Sequence, residues 1–268
     1  MNAIDLIREG RLSEARKLLV EEVKAAPSDT GKRTILFQVL IFLGEWDKAY
    51  RHLETIATQD TARQAGIQVY KNLITAEKER LDVILFKKSP SFLPETPPYF
   101  DTYHAGLKKL VEKDPQGAKV YFDQANTLRP VTSGTVNGRD FTGLSDTDTF
   151  LSPFLEAIVH ERYVWVPFES IRELAITPPK TLFDLIWAEA RVTTWEGLTL
   201  NCYLPVLYPD SSQHEDDRIK LGRITDWIPL GESFSKGIGQ HVFQFGQEEL
   251  AILEIREALF YHNDQESK

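Results

Sequence analysis

The side chains with the clearest potential for chemistry are carboxylates. Asp146 and Asp148 stand in the tetrapeptide Ser145–Asp148 (SDTD), and Glu156 follows shortly after. Three such oxygens could ligate a divalent cation, which favours hard oxygen donors, and a metal-dependent enzyme could be built on them. The plainer reading is a polar turn whose side chains cap a following helix, so no metal ligand is assigned. His214, Glu215, Asp216 and Asp217 form a charge run that reads as solvated loop surface. The six histidines show no HExxH spacing or other ligand pair. His160, in HERY, falls between an expected helix and a strand and reads as a structural hydrogen-bonding residue. No GxSxG elbow and no phosphate-binding glycine loop is present; Gly237–Gln240 (GIGQ) reads as a turn before a strand. The single cysteine, Cys202, lies in a strand-like run and reads as a buried, inert thiol. With no catalytic constellation, a non-enzymatic protein without a cofactor is expected.

A binding surface has a better basis, because the N-terminal part carries an internal repeat. GRLSEARKLLVEEVKAAP (10–27) places Leu12, Ala15, Leu18, Leu19 and Val23 on one helical face. GEWDKAYRHLETIATQDT repeats the pattern, and Gly10 to Gly44 and Ala15 to Ala49 are both 34 residues apart. A third copy, DPQGAKVYFDQANTLRP, keeps the spacing of Ala118 to Pro130 but arrives one residue late. A period of 34 with a small residue at the helix crossing is the tetratricopeptide (TPR) pattern. Helical hairpins are expected at 2–26 and 30–58. A long helix follows at 61–86, where a third regular turn is missing, and two more helices lie at 100–112 and 115–129. Each hairpin's first helix would line a concave groove. That places Thr34, Gln38 and Ile41 in it, followed by Ala65, Gln68, Asn72 and Thr75 on the long helix. Small and amide side chains there leave room for a guest helix and can hydrogen-bond it.

Prolines at 90, 94, 97 and 98 mark a loop over 87–98. After Pro130 the pattern changes to strands and turns. Asn137-Gly138 signals a two-residue hairpin, and Tyr163–Phe168 (YVWVPF) a strand. ESIRELAI (169–176) reads as a short helix. Strands are expected at 184–194, 198–207, 219–228 and 241–245, with a strand or helix at 251–260. The reading is an α+β chain in two domains: a TPR-like helical repeat domain at 1–130 and an acidic, strand-rich, barrel-like domain at 131–268.

Composition agrees with a globular chain, with 42% hydrophobic and 26% charged residues. Residues 1–88 carry 15 Lys+Arg and 13 Asp+Glu, whereas residues 131–268 carry 11 and 22. So acidic a C-terminal half argues against nucleic acid and against an anionic membrane surface as partners. The N-terminus carries Asp5, Arg8 and Glu9 and does not read as a signal peptide; a cytoplasmic location is expected.

RYVWVPFESIRELAITPPKTLFDLIWAEARV (162–192), YLPVLYP (203–209), KLGRITDWIPL and GIGQHVFQF resemble the ImpE/SciE (TagJ-type) family of bacterial type VI secretion accessory proteins. The opening IREGRLSEARKLLVEEVKAAPSD is similar as well. The resemblance implies a non-enzymatic cytoplasmic partner of the contractile sheath. Such a partner binds the N-terminal helix of the small sheath subunit TssB and is linked with sheath recycling by the AAA+ ATPase ClpV. It carries over no catalytic residues. Two alternatives remain at this point: a generic helical-repeat protein that binds another partner through its acidic domain, and the metal-dependent enzyme on Asp146, Asp148 and Glu156.

Overall fold

The computed structural model describes residues 1–262. The first 128 residues are helical: α1 (Ala3–Arg8), α2 (Leu12–Ala25), α3 (Thr30–Phe42), α4 (Trp46–Gln59), α5 (Gln64–Ile84), α6 (Phe100–Val111) and α7 (Pro115–Leu128). The helix starts follow local chemistry. Asn2 and Asp5 form a capping box on α1, Asp29 accepts the Lys32 N–H at 3.0 Å, and Asp114 accepts that of Gly117 at 2.9 Å ahead of Pro115. Gly10 and Gly44, both at positive φ, close the turns after α1 and α3. The repeat's apolar face is buried as expected at Leu12, Ala15, Leu19 and Val23, and Ala49 and Ala118 are fully enclosed. Consecutive helices from α1 to α5 pack on their neighbours, and α6 packs on α7. The long helix begins after a short 3-10 turn at Thr61–Arg63, so the α-helix starts three residues later than the pattern suggests.

The proline-rich loop is not wholly irregular. Its Ser91–Phe92 (β1) pairs in parallel with the strand at 162–167. The remaining strands are β2 (Ser133–Val136), β3 (Arg139–Thr142), β4 (Leu144–Asp146), β5 (Phe154–Val159), β6 (Arg162–Pro167), β7 (Ile171–Ile176), β8 (Trp187–Thr194) and β9 (Thr199–Pro205). After the short helix α8 (Asp217–Lys220) come β10 (Asp226–Gly231), β11 (Phe234–Ile238), β12 (Val242–Phe245), β13 (Glu248–Ala251) and β14 (Glu257–Phe260). Nine strands form one sheet in the order β1-β6-β5-β9-β8-β7-β14-β2-β3, antiparallel except at β1. A three-stranded sheet (β13-β12-β4) and a two-stranded ribbon (β10-β11) accompany it. The chain is thus α+β, helical first and strand-rich after.

Several local expectations are corrected. ESIRELAI is a 3-10 turn and then strand β7, paired with β8 and β14, because sheet pairing outweighs the helix preference of Glu, Leu and Ala. The segment after Asp148 is strand β5, not a helix capped by the SDTD turn, and His160 sits at positive φ in the β5–β6 turn. Residues 219–228 divide between α8, a turn and β10.

Both faces of the large sheet are covered, which explains the near-continuous apolar runs FLEAIV and YVWVP. On β5 and β6, Phe154, Ile158, Tyr163 and Trp165 join the cluster with the helices. Leu155, Ala157, Val164 and Val166 join a second cluster on the opposite face. The helix-side cluster runs without interruption from Ala3 to Leu221, so the helical and strand-rich parts share one core.

Candidate functional site

Two features stand out where the helices meet the sheet: a buried charge network and an open apolar groove. The network is centred on α5. Glu156 shares the β5 face with Phe154 and Ile158 and therefore points at that helix. Arg80 on α5 meets it with two nearly parallel bonds, Nε to Oε1 at 2.8 Å and Nη2 to Oε2 at 2.5 Å. Arg80 also donates to the Leu207 carbonyl at 2.8 Å and contacts Glu77 at 3.3 Å, while Glu77 accepts the Trp187 indole N–H at 2.8 Å. The Tyr163 hydroxyl donates to Glu156 and accepts from the Trp165 indole at 2.5 Å.

His241 extends the network to the carboxylates of the SDTD turn. Its Nε2 lies 3.0 Å from Glu156 and its Nδ1 2.8 Å from Asp146. With carboxylates on both sides the ring donates from both nitrogens, which requires the imidazolium. Burial pushes the imidazole pKa down, but Asp146 and Glu156 overcome it and raise it to about 9. Burial likewise pushes Glu156 up, yet the Arg80 charge and the bonds from His241 and Arg80 hold it at about 2. Asp146 also accepts from the Tyr208 hydroxyl at 2.6 Å. Asp148 is raised to about 7 by burial and by the Asp146 charge, against the N–H groups of Gly237 and Phe150 that it accepts.

The metal reading of Asp146, Asp148 and Glu156 is therefore corrected: these carboxylates are engaged by Arg80, His241, Tyr208 and backbone donors. Among the described residues no group of three or more His, Cys, Asp or Glu is placed to hold a metal ion. Cys202 is buried, and burial pushes its thiol up to about 12, far from the reactive thiolate range.

The groove lies between α3, α4 and the start of α5, with a volume of about 340 Å³. Phe37, Leu53, Ile56, Ile67 and Tyr70 form its apolar wall, and Arg63 stands at its rim. One wall residue comes from the strand-rich part: Phe183, in the segment before β8, stacks on Tyr70 with ring centroids 4.0 Å apart and meets Phe37 at 5.3 Å. Asp184 fixes that segment by accepting the N–H groups of Lys180 and Thr181 at 2.7 and 2.8 Å. Gly66 also lines the groove, and a Cβ built on it meets nothing within 4 Å. A helical glycine forgoes about 1 kcal/mol relative to alanine, and nothing within the chain crowds this one.

Of the seven residues expected in a groove, Thr34 lines this one. Gln38 and Ile41 are buried, at 8% and 1% exposure, which corrects their placement on an open surface. Ile41 instead walls a small cavity of about 100 Å³ with Trp46, Arg80 and Tyr208, because the strand-rich part covers that end of α3. Ala65, Gln68 and Thr75 are exposed and Asn72 is half-buried. Gln68 Nε2 donates to Asn72 Oδ1 at 2.8 Å, so these residues share the solvent face of α5 beside the groove. On α5 the groove-facing positions are Gly66, Ile67 and Tyr70, one turn-face away from the expected row. Sequence reasoning missed Phe183 and the Arg80–Glu156–His241 core. TPPKTLFDL gives no sign of which helix its phenylalanine meets, and Arg80 stands in the charged run EKER.

Among the described residues no helix is long and apolar enough to cross a membrane. The fold closely matches a crystal structure of a Vibrio parahaemolyticus protein, with TM-score 0.83 over 97% of each chain and 22% identity. The ImpE protein family profile matches residues 138–259. The chain is also 32% identical to the type VI secretion system accessory component TagJ of Pseudomonas aeruginosa, over 264 residues covering 98% of this chain and 92% of that protein. Similarity at that level along nearly the whole length, together with the family profile, places the chain in the ImpE family.

Proposed function

We propose that the chain is a non-enzymatic, cytoplasmic accessory component of a bacterial type VI secretion system. Its task is to capture the N-terminal helix of the small sheath subunit TssB in the groove between α3, α4 and α5, and so to assist sheath assembly or its ClpV-linked recycling. The observation that carries the reading is the open apolar groove with Gly66 at its edge. An amphipathic helix docks by placing one or two apolar anchors in such a pocket, and a missing Cβ lets its backbone approach closely. Thr34 serves as a polar contact within the groove, with Ala65, Gln68, Asn72 and Thr75 as outer contacts along α5. The similarity to TagJ supports the accessory role, and the family resemblance supplies the guest.

Isothermal titration with a synthetic TssB N-terminal peptide tests this. The wild-type chain is expected to bind with micromolar affinity, and Gly66→Leu, which fills the groove and favours the helix, to weaken binding about tenfold or more. Absence of heat with the wild-type chain at high micromolar concentration would sink the proposal, and undiminished binding by Gly66→Leu would remove the groove from it.

A further inference from the structure

The groove between α3, α4 and α5 changes character along its length. Toward the α4–α5 turn its wall is aliphatic, from Ile56, Ala62 and Ile67, with Gly66 at the edge. One turn further along α5, about 6 Å, the wall becomes aromatic. Tyr70 and Phe183 lie nearly parallel, with centroids 4.0 Å apart and planes at 19°. Phe37 meets Phe183 at 5.3 Å and 43°, and Tyr70 at 5.9 Å and 59°. Phe37 is fully enclosed, whereas Tyr70 and Phe183 are half-buried and keep part of their ring surface open. The volume of about 340 Å³ has room for two side chains, since a cavity of about 150 Å³ encloses a benzene ring. Offset and edge-to-face contacts between rings add to what burial alone supplies. An aromatic side chain therefore gains more at this end than a leucine does.

Phe183 is the ring that the helices do not supply. It opens the 3-10 turn Phe183–Leu185, and its carbonyl accepts the Ile186 N–H at 2.9 Å. Ile186 O in turn accepts the Val206 N–H at 2.9 Å, and Leu182 and Leu185 pack on the helix-side core. A fixed backbone thus presents the ring. Charge distinguishes the two ends of the groove as well. Burial pushes the Tyr70 hydroxyl up to about 12, and neighbouring Tyr203, Asp184 and Glu189 add to the shift. Asp184 accepts the backbone N–H groups of Lys180 and Thr181, and Glu189 the Tyr203 hydroxyl at 3.4 Å; neither carboxylate has an ion-pair partner among the described residues. At the aliphatic end Arg63 stands beside Asp60 at 2.9 Å.

We infer that Phe183 is the specificity-determining residue of this groove, selecting a guest helix with an aromatic anchor, an aliphatic residue one turn away, and Lys or Arg beside the aromatic one. The inference rests on the groove reading above and deepens it. The guest's ring seats against Tyr70 and Phe183, and its aliphatic residue against Ile56 and Ile67. Anchors four positions apart on the guest match the separation of Gly66 and Tyr70 on α5. The basic side chain meets Glu189. Recognition is thereby divided: the helical part builds the groove, and the strand-rich part chooses what enters it.

Isothermal titration of the full chain with the synthetic TssB N-terminal peptide and single-site variants of that peptide tests the inference. The peptide's apolar face is expected to carry an aromatic residue whose replacement by leucine weakens binding about fivefold, and by alanine about tenfold or more. In Phe183→Leu the aromatic and leucine peptides should bind within about twofold of each other, whereas Phe183→Tyr should keep the preference. Tyr70→Leu, read in the same way, carries the test should circular dichroism show Phe183→Leu unfolded. Glu189→Gln should weaken binding of the unaltered peptide about twofold. A peptide with no aromatic residue on its apolar face, equal affinity for the aromatic and leucine peptides, a preference undiminished in Phe183→Leu, or unchanged affinity in Glu189→Gln would each overturn the inference, and the groove would stand if Gly66→Leu still weakens binding. Absence of binding to the wild-type chain, or undiminished binding by Gly66→Leu, would remove the groove and this inference with it.

Discussion

Replacing Arg80 with methionine tests whether the buried network holds the two parts of the chain together. The substitution keeps most of the side chain's apolar length but removes both bonds to Glu156 and the bond to Leu207 O. It also strips Glu77 of its nearby charge. Arg80, Glu77 and Glu156 are each 4% exposed, so water cannot replace what is lost. Removing one partner of a buried ion pair costs about 3–5 kcal/mol. His241 remains 3.0 Å from Glu156 as a second cation, which places the expectation at the lower end, about 3 kcal/mol. For a chain of this size that corresponds to a fall in Tm of about 6–12 °C. Urea unfolding monitored by tryptophan fluorescence supplies the free energy, and calorimetry the Tm. Arg80→Met/Glu156→Gln, which removes both charges, should regain about 1–2 kcal/mol of the loss. A single variant within about 1 kcal/mol of wild type would refute the reasoning. So would a double variant no more stable than the single one, since packing rather than charge would then account for the loss.

Two further outcomes follow from the same region. His241 has its folded pKa raised from 6.5 to about 9, so its contribution is full below the unfolded value and is lost as pH rises through 9. Glu156 runs the opposite way: held at about 2 against 4.5, it stabilises above pH 4.5 and loses that contribution as pH falls through 2. Urea midpoints should therefore decline between pH 6.5 and 9 in the wild type, and this part of the decline should vanish in His241→Gln; an identical slope in the variant would contradict the imidazolium. At the α3–α4 turn, Gly44 has φ +68° and a built Cβ falls 2.5 Å from Ser212 Oγ. Gly44→Ala is expected to cost about 1–2 kcal/mol through the left-handed backbone and this approach, and an unchanged denaturation midpoint would count against it.

The helical part was readable because its signals are local. Caps at Asp29 and Asp114, glycines at 10 and 44, and a small residue at each crossing are short-range chemistry, and the helices start and stop near them. The Asn137-Gly138 hairpin was readable for the same reason. What the sequence concealed depends on partners far along the chain. Residues 171–176 have the composition of a helix and become a strand because β8 and β14 lie on either side. Arg80 looks like one more surface charge in EKER until Glu156 and Leu207, 76 and 127 residues away, arrive to meet it. Of the residues expected to line a groove, Gln38 and Ile41 are buried instead, because the strand-rich part covers the end of α3 at Ile41, and Phe183 of that part walls the cavity that Thr34 lines. Spacing within a helix specifies a face, and only tertiary packing decides which face stays open.

The N-terminal end of the chain is fastened by residues synthesised more than two hundred positions later. Asp217 accepts the Leu12 N–H at 2.7 Å, and Arg223 donates to the carbonyls of Ile7 and Arg8 at 2.8 and 2.7 Å. The first helical hairpin is translated early but cannot complete these bonds until residues 217–223 have followed. A nascent chain halted near residue 130 would display the apolar surface meant for Trp187, Ile186 and Tyr208 while still waiting for them. Contacts so distant in sequence slow folding, and they tie α1 and the start of α2 to translation as far as residue 223. A chain ending before residue 217 should therefore leave its first hairpin without all three bonds, and faster proteolysis of that fragment than of the longer chain checks this.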